Sequence, residues 1–318
     1  MGRYIIRRLL INIPVLFGIT LLVFIFVRLA PGDPALAYMS PELGHDEKMI
    51  AQVRHQLGLD QPYAVQYVRW LGKTLTGDLG YRMLGGQPVT ITLGRALRAS
   101  GMLMGTALAL GCLIGIPLGI FSALRQYSRL DFLLTTLAFL GVSTPSFLLG
   151  LGGLYLFGLK LKLFPIGGMF STTGVNSVGD VLHHLALPAM ILGFGYIAIL
   201  MRYTRSSMLE VVRATYMTTA RAKGLHERLV VFRHAFRNAL IPILTIIGLA
   251  LPEMVGGAVI TETVFTWPGM GSLLIDSVNG RDYSMLMGIS LSVAVAVLAA
   301  NLITDIAYAF ADPRIRFE

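Results

Sequence analysis

The chain has 318 residues, of which 55% are apolar and only 14% are charged. The charged fraction is about half that of an ordinary soluble domain, and the mean hydropathy is +0.70. A soluble protein of this size cannot cover its surface with so few charges, and disordered chains are poor in apolar residues. The composition excludes both classes and indicates a protein that crosses a membrane several times.

The single cysteine, Cys112, lies within an apolar run. One cysteine permits no intrachain disulfide and no cysteine-based metal site. The formal net charge of +9 raises the question of nucleic acid binding. The basic residues, however, lie in short segments between apolar runs, which favours a lipid bilayer over nucleic acid as the surrounding partner.

Six apolar runs are long enough to cross the hydrocarbon core as helices, which takes about 20 residues. They span residues 9–27, 101–124, 132–159, 185–201, 240–261 and 285–304. Their apolarity is continuous rather than alternating, which argues against a transmembrane barrel. Since helices satisfy their own backbone in lipid, we predict an all-α polytopic membrane protein with six transmembrane helices.

The runs divide the chain into three parts. Residues 1–30 form a first transmembrane helix with a basic N-terminus, retained because the apolar run exceeds that of a signal peptide. Residues 31–100 form an outer helical segment, and residues 101–318 form a core of five spans. Basic residues concentrate in segments 3–8, 125–129, 202–239 and 314–316. By the positive-inside rule, these segments and both termini are expected to be cytoplasmic.

The outer segment exceeds what a connection between two spans needs. Its helical stripe of Ala64, Val68, Leu71 and Leu75, with Pro62 near the helix start, predicts an amphipathic helix. Two interpretations remain open. The segment is either a cap on the outer ends of the spans or a docking surface for an external partner.

The inner segment 202–239 holds eight Lys or Arg residues and two acids. Its pattern is a helix, a stop at Gly224 and a second helical stretch, after which Pro242 is expected to open the fifth span. A basic segment can anchor on anionic lipid headgroups. A pure lipid anchor needs no glycine turn, so we favour a rigid knuckle that seats in a cytoplasmic partner.

Glu253 is the one acid inside a predicted span. A charge at mid-bilayer costs about 2.5–3.5 kcal/mol on insertion scales, so we expect it to face the interior of the bundle or a water-filled path. The alternative is an acid near the outer end that reaches the headgroups. In the third span, the sequence from Ser143 through Pro145 predicts a break, either a hinge or a static kink.

Ten short motifs, weak alone, together resemble one family. They are Pro31-Gly32-Asp33-Pro34, Leu57-Gly58-Leu59-Asp60-Gln61-Pro62, Gly77-Asp78-Leu79-Gly80, Thr204-Arg205-Ser206-Ser207, Thr219-Ala220-Arg221-Ala222-Lys223-Gly224, Arg237-Asn238-Ala239-Leu240-Ile241-Pro242, Glu262-Thr263-Val264-Phe265, Trp267-Pro268-Gly269, Arg281-Asp282-Tyr283 and Asp312-Pro313-Arg314. The chain resembles the permeases of peptide, nickel and glutathione ATP-binding-cassette (ABC) importers, and in particular their dipeptide and oligopeptide "B" subunits. The resemblance covers nearly the full chain.

This resemblance implies a MetI-like permease fold in a bacterial or archaeal cell membrane. It also implies a second homologous permease subunit, two ABC ATPase subunits and an extracytoplasmic solute-binding protein. The outer segment would receive the binding protein, with Asp33, Asp60, Asp78 and Trp267 as candidate docking residues.

The segment 216–242 corresponds in this resemblance to the ATPase-coupling "EAA" loop. The implied coupling residues are Thr218, Thr219, Ala220, Arg221, Ala222, Lys223, Gly224, Leu225, Arg237 and Asn238. Thr218 and Thr219 stand where the general pattern has Glu and Ala. The interval from Gly224 to Pro242 is also longer than in many importers, and peptide-type permeases commonly share both departures.

The chain carries no phosphate-binding loop of its own. The one Gly-Lys-Thr sequence, Gly72-Lys73-Thr74, has Tyr67 where the loop requires a glycine. We therefore expect no catalytic residue, metal or cofactor on this chain, with ATP and magnesium bound by partner ATPases. His183 and His184 are adjacent rather than spaced as metal ligands.

The predicted function is the permease subunit of an ATP-driven importer for peptides or a related small solute. It would couple hydrolysis by a separate ATPase to alternating access. Glu253, Ser143 and Pro145 are the candidate residues of its translocation path or gate. An ion-gradient-driven transporter is the first alternative, but it would be expected to show paired intramembrane acids or an internal repeat. A non-transport membrane scaffold is the second, and it needs neither broken spans nor a basic knuckle.

Overall fold

The structure is a computed structural model that describes residues 2–29, 35, 47–56, 58–83, 85–171 and 177–311. Within these ranges the chain is helical, and its one extended pairing is an isolated bridge between Tyr81 and Pro88. The predicted all-α fold is confirmed for the part of the chain that is described.

The helices of these ranges are numbered in chain order. They are α1 (Gly2–Leu29), α2 (Glu47–Gln56), α3 (Tyr63–Leu75), α4 (Val89–Leu124), α5 (Arg129–Ser143), α6 (Ser146–Lys160), α7 (Val178–Val212), α8 (Thr215–Ala222), α9 (Glu227–Gly256), α10 (Val259–Val264), α11 (Met270–Asn279) and α12 (Tyr283–Ala311). Helices α4, α6 and α9 each contain a π-helical segment, at Gly111–Gly115, Leu154–Lys160 and Val230–Phe236.

Five of these helices, α1, α4, α7, α9 and α12, are long and apolar enough to cross a membrane. Helices α5 and α6 pass the same test only together, and they meet at an angle of 100°. The six predicted runs thus correspond to five long helices and one bent pair.

The break in the third span lies where the sequence predicts it. Helix α5 ends at Ser143 and α6 begins at Ser146, directly after Pro145. The Thr144 hydroxyl and the Thr144 backbone N–H both donate to the carbonyl oxygen of Leu140, at 2.7 and 2.9 Å, and close the last turn of α5 before the break.

The start of α4 and the end of α7 differ from the predicted boundaries. Helix α4 begins at Val89, inside the predicted outer segment, because its buried face packs on α11 and α12 while Arg95 and Arg98 remain exposed. Helix α7 continues from the predicted span to Val212, so residues 202–212 are helix rather than loop. Thr204 and Met208 on this extension are fully buried.

The fifth span also differs from the prediction at both ends. Pro242 lies inside α9, which starts at Glu227, instead of opening the span. The π-helical segment before Pro242 and the buried residues Ala239 and Ile243 keep the helix continuous through the proline. At the other end α9 stops at Gly256, because Gly257 adopts a positive φ of 78°.

A glycine seam holds α4 close to α7. A Cβ atom on Gly115 would lie 2.8 Å from the carbonyl oxygen of Ile197, and one on Gly119 would lie 2.6 Å from that of Met201. Only glycine permits this approach, as is common where membrane helices pack by van der Waals contact. The seam makes α4 and α7 the closely packed centre of the bundle.

Helices α9 and α12 form a second tight pair. Gly248 lies directly against Thr304, and the Tyr308 hydroxyl donates to Thr245 Oγ1 at 2.7 Å. Helix α1 joins this pair at its edge. There Asp305 of α12 accepts hydrogen bonds from the Tyr4 hydroxyl at 2.8 Å and from Arg8 at 2.9 Å.

The outer helix α3 packs on α1 through a different face from the predicted one. Val68 and Leu75 are 67% and 80% exposed, whereas Tyr67 is 5% exposed. The Tyr67 ring lies edge-on to Phe24, and its hydroxyl shares a 2.9 Å hydrogen bond with Thr20. This aromatic contact orients the helix. Leu71 of the predicted stripe packs beside Tyr67 and Phe24, whereas Val68 and Leu75 are left on the exposed face.

Candidate functional site

The strongest candidate site is a basic elbow between α7 and α9, which we define as residues 215–229. It consists of α8, a turn at Gly224 and the first residues of α9. All nine residues from Arg221 to Leu229 are exposed. This run contains the predicted coupling residues Arg221, Ala222, Lys223, Gly224 and Leu225.

The elbow sits on an apolar base. Met217 and Ala220 of α8 are buried, whereas Thr218 and Thr219 between them are exposed. The buried members of the base come from the ends of four helices: Ile120, Ala123, Met208, Met217, Ala220, Val230, Val231, Ala235 and Ala239. Because α4, α7, α8 and α9 share this cluster, a force on the elbow acts on three long helices at once.

The turn of the elbow requires glycine for its backbone rather than for space. Gly224 has a φ of 73°, and a Cβ atom there would meet nothing within 4 Å. Across the turn, Arg221 Nη2 donates to Glu227 Oε1 at 3.0 Å. This hydrogen bond raises the pKa of Arg221.

The two remaining predicted coupling residues lie in α9 just beyond the elbow. Arg237 and Asn238 are exposed. The Asn238 side-chain amide donates to the carbonyl oxygen of His234 at 2.6 Å, at the end of the π-helical segment. Both side chains thus lie on an accessible part of α9 that continues from the elbow.

An ion pair between buried Asp131 and half-buried Arg205 ties α7 to the start of α5. Arg205 Nε donates to Asp131 Oδ1 at 2.7 Å, and Arg205 Nη2 donates to Oδ2 at 2.9 Å. Asp131 also accepts from the Ser122 hydroxyl and from the Tyr127 backbone N–H. Charged pairs with this bidentate geometry are strong and directional. The pair clamps α7, only a few turns before the elbow, to the α4–α5 connection.

Sequence reasoning missed this clamp. Arg205 belongs to one of the motifs that support the resemblance, but nothing in the sequence indicates its partner, which is 74 residues away. The available signal was an arginine on an apolar helix, since such a charge in a membrane protein requires a partner.

Glu253 is exposed on α9, in the last turn before the helix ends. Its Oε2 accepts a hydrogen bond from the Tyr196 hydroxyl of α7 at 2.8 Å. Ser143 and Pro145, the other predicted path residues, are exposed at the α5–α6 break. In the described part of the chain, this break and Glu253 share no hydrogen bond. The role of all three residues in the path stays a prediction.

Glu262, which unlike Glu253 is buried, organises the segment after α9. Glu262 is 0% exposed, and its carboxylate accepts from the Ser100 hydroxyl at 2.6 Å and from the Ser272 N–H at 3.0 Å. Trp267 is also 0% exposed, and its indole N–H donates to the Ala99 carbonyl oxygen at 2.9 Å. A fully buried Trp267 cannot itself contact an external partner; it fixes α10 and α11 against α4.

Two of the three candidate docking acids, Asp60 and Asp78, lie among the described residues of the outer segment. Asp60 forms a 2.7 Å hydrogen bond with His55, which lowers the pKa of Asp60. Asp78 accepts from the backbone N–H of Gly80 at 2.9 Å and is exposed. Asp33 lies outside the described residues. Both described acids are thus accessible in the outer segment.

Asp282 connects the outer segment to α12. It is 1% exposed and accepts from the backbone N–H groups of Met83 at 2.9 Å and Met285 at 3.1 Å. Burial raises the pKa of Asp282, against the opposing effect of these two amides and Arg82. One side chain thereby caps α12 and holds the chain that follows α3.

The described residues contain no group of three or more His, Cys, Asp or Glu side chains that could hold a metal ion. His183 and His184 instead bond backbone carbonyl oxygens of Leu163 and Asp180. The sequence Gly72-Lys73-Thr74 lies inside α3, so it forms no loop that could cradle a phosphate.

The fold defines an integral-membrane protein, and its elbow is an exposed basic segment between two long helices. Two family models match the chain. Residues 115–317 match the binding-protein-dependent transport system inner membrane component, and residues 1–105 match the N-terminal part of such membrane components. The chain belongs to this family of transport-system membrane components.

Individual relatives extend over the whole chain. The oligopeptide transport system permease protein AppB of Bacillus subtilis is 42% identical over 318 residues and covers 100% of both chains. The glutathione transport system permease protein GsiC of Salmonella typhimurium is 39% identical, also with 100% of both chains covered. The dipeptide transport system permease protein DppB of Alkalihalophilus pseudofirmus is 37% identical over 332 residues, which include 99% of each chain.

These relatives confirm the predicted class. The chain is the permease subunit of an ABC importer, and the ATPase of such a system is a separate subunit. The family therefore favours neither the ion-gradient transporter nor the membrane scaffold.

Proposed function

We propose that this permease carries small peptides, or a closely related solute such as glutathione, into the cytoplasm. The named substrates of the three relatives support this substrate class. We further propose that both termini face the cytoplasm of a bacterial or archaeal cell, since the basic segments then lie on one side.

In this proposal the permease pairs with a second homologous permease subunit and two ABC ATPases, which bind ATP and magnesium. An extracytoplasmic solute-binding protein delivers the cargo. ATP binding shifts the population between inward-facing and outward-facing states, because the closed ATPases bind one state better than the other.

The observation that carries the proposal is the exposed basic elbow on its buried apolar base. Its accessible residues seat in a groove of one ATPase, and its base passes the motion to α4, α7 and α9. The glycine seam makes α4 and α7 move together, and the Arg205–Asp131 clamp adds the start of α5 to this unit.

The outer segment is the proposed docking surface for the loaded binding protein. Asp60, Asp78 and the aliphatic face of α3 are accessible there, with Val68 and Leu75 exposed. Trp267 is omitted from this surface because it is buried, and it supports the surface from beneath.

Co-purification and reconstitution test the proposal. The tagged chain should bring down an ATPase pair and a second permease, and the complex should import radiolabelled trialanine only with ATP and the binding protein. The isolated chain in proteoliposomes should be inert. Saturable pumping by the isolated chain would contradict the proposal.

A further inference from the structure

We propose that the Glu253 carboxylate is a transient binding site for the terminal ammonium group of a peptide crossing the membrane. The inference rests on the proposed function, since it requires that the cargo be a peptide. It adds the cargo group that a specific side chain of this subunit recognises.

The Glu253 carboxylate differs from two other acids in its partners. Within the described residues, its side chain accepts one hydrogen bond, from the neutral Tyr196 hydroxyl. Two other acids on the described membrane helices each have a basic partner. Asp131 pairs with Arg205 and Asp305 pairs with Arg8. Within the described residues, no Lys, Arg or His forms an ion pair with Glu253.

The backbone around Glu253 also favours a positive group. Glu253 lies in the last turn of α9, which ends at Gly256, and the C-terminus of a helix carries a partial negative charge. An acid is disfavoured at this end, whereas a cation is favoured. The carboxylate and the helix end thus attract the same positive group.

The Glu253 side chain is exposed, as is that of Leu249 about one turn earlier on the same side of α9. A carboxylate facing lipid is costly, so this side must face water or another subunit. Glu262 shows the contrasting arrangement, because it is fully buried and accepts hydrogen bonds from Ser100, Ala258 and Ser272.

The geometry leaves the carboxylate able to bind. The Tyr196 hydroxyl donates to Oε2, so Oε1 remains available as an acceptor. An ammonium group has three N–H donors and no acceptor, which suits this oxygen. Every linear peptide with a free amino terminus carries such a group, whatever its side chains, so one carboxylate can serve a broad range of peptides. Tyr196 is a positioning residue that holds the carboxylate in place.

The first experiment removes the charge and keeps the shape. In the reconstituted full importer with saturating binding protein, Glu253→Gln should lower trialanine uptake about tenfold, which is about 1.4 kcal/mol. Glu253→Asp should retain most uptake, and Tyr196→Phe should have a smaller effect than Glu253→Gln. Asp276→Asn, the same change at an exposed acid of α11, is the matched control and should leave uptake unchanged.

The second experiment restores the charge chemically. Glu253→Cys is made together with Cys112→Ala, so that residue 253 carries the single thiol of this subunit. A sulfonate-bearing methanethiosulfonate should restore much of the uptake, because it returns a negative charge. A trimethylammonium-bearing reagent of similar size should not.

The outcomes separate the two proposals. If the wild-type complex hydrolyses ATP but imports no peptide, the proposed function fails and the inference falls with it. If the wild type imports peptide and Glu253→Gln does so equally well, only the inference is overturned. It is also overturned if the thiol at residue 253 reacts with neither reagent, or if both reagents restore uptake equally. Loss of the second permease subunit on purification of Glu253→Gln would likewise overturn it and assign Glu253 to the subunit interface.

Discussion

Asp131 and Glu253 are both acids on membrane helices, and they lie in opposite environments. Asp131 is buried and bound by Arg205, Ser122 and a backbone N–H. Glu253 is exposed and bound by a single neutral hydroxyl. The acceptor capacity of the Asp131 carboxylate is largely used by donors of this chain, whereas most of the acceptor capacity of Glu253 is unused.

This difference matches the proposed division of the permease into helices that hold their packing and surfaces that bind cargo or other subunits. Where the chain must stay rigid, it compensates a charge internally, as between α5 and α7. Under the proposed function, Glu253 and the basic elbow meet other molecules, and within the described residues Glu253 has no ion-pair partner. The following predictions change one side of this comparison at a time.

The largest effect is expected at the clamp. Arg205→Ala leaves Asp131 as an uncompensated buried charge, and breaking a buried pair in this way costs about 3–5 kcal/mol. We expect the midpoint of unfolding in mixed detergent to fall sharply. The double variant Asp131→Leu with Arg205→Met should be less destabilised than Arg205→Ala, because no lone charge remains. A double variant as unstable as the single one would contradict this account.

The next effect is expected at the turn of the elbow. Gly224→Val forces a β-branched residue into a positive φ, which costs about 1–3 kcal/mol locally. We expect the complex to assemble and hydrolyse ATP with much less uptake per ATP. Gly224→Asn is the matched control, because asparagine tolerates this conformation. Coupled transport by Gly224→Val would remove the proposed role of the turn.

A smaller, pH-dependent effect is expected at Asp282. Because burial raises the pKa of Asp282 in the folded state, its ionised form is disfavoured by folding. As the pH falls from 7 through that raised pKa, protonation should stabilise the wild type relative to Asp282→Asn. Thermal unfolding of both proteins between pH 7 and about 4 measures the difference. A wild type that loses stability relative to Asp282→Asn on acidification would be inconsistent with the burial effect.

The smallest effect is expected at the ion pair across the elbow. Arg221 and Glu227 are both exposed, and such surface pairs contribute about 0–1 kcal/mol. Glu227→Gln should therefore leave the unfolding midpoint nearly unchanged. A large loss of stability would show that the elbow depends on this pair rather than on its apolar base.

Much of this architecture could be predicted from local sequence. The apolar runs predict the long helices, Pro145 predicts the break before α6, and Gly224 predicts the turn. Contacts between distant residues could not be predicted in this way. The Arg205–Asp131 clamp, the burial of Trp267 and the packing of Tyr67 on α1 depend on which helices become neighbours. A single sequence gives the charge or the ring but not its partner, and for the same reason Pro242 was wrongly placed at a helix start.

The central claim is that a separate ATPase drives this chain through the elbow, and cross-linking tests it most directly. A photoreactive amino acid is placed at Leu225 of the elbow in the full complex, and at Leu137 on the exposed side of α5 as the control. The account predicts an ATPase cross-link from position 225 that changes in yield with ATP, and none from position 137. No ATPase cross-link from position 225 in a complex that transports would contradict it.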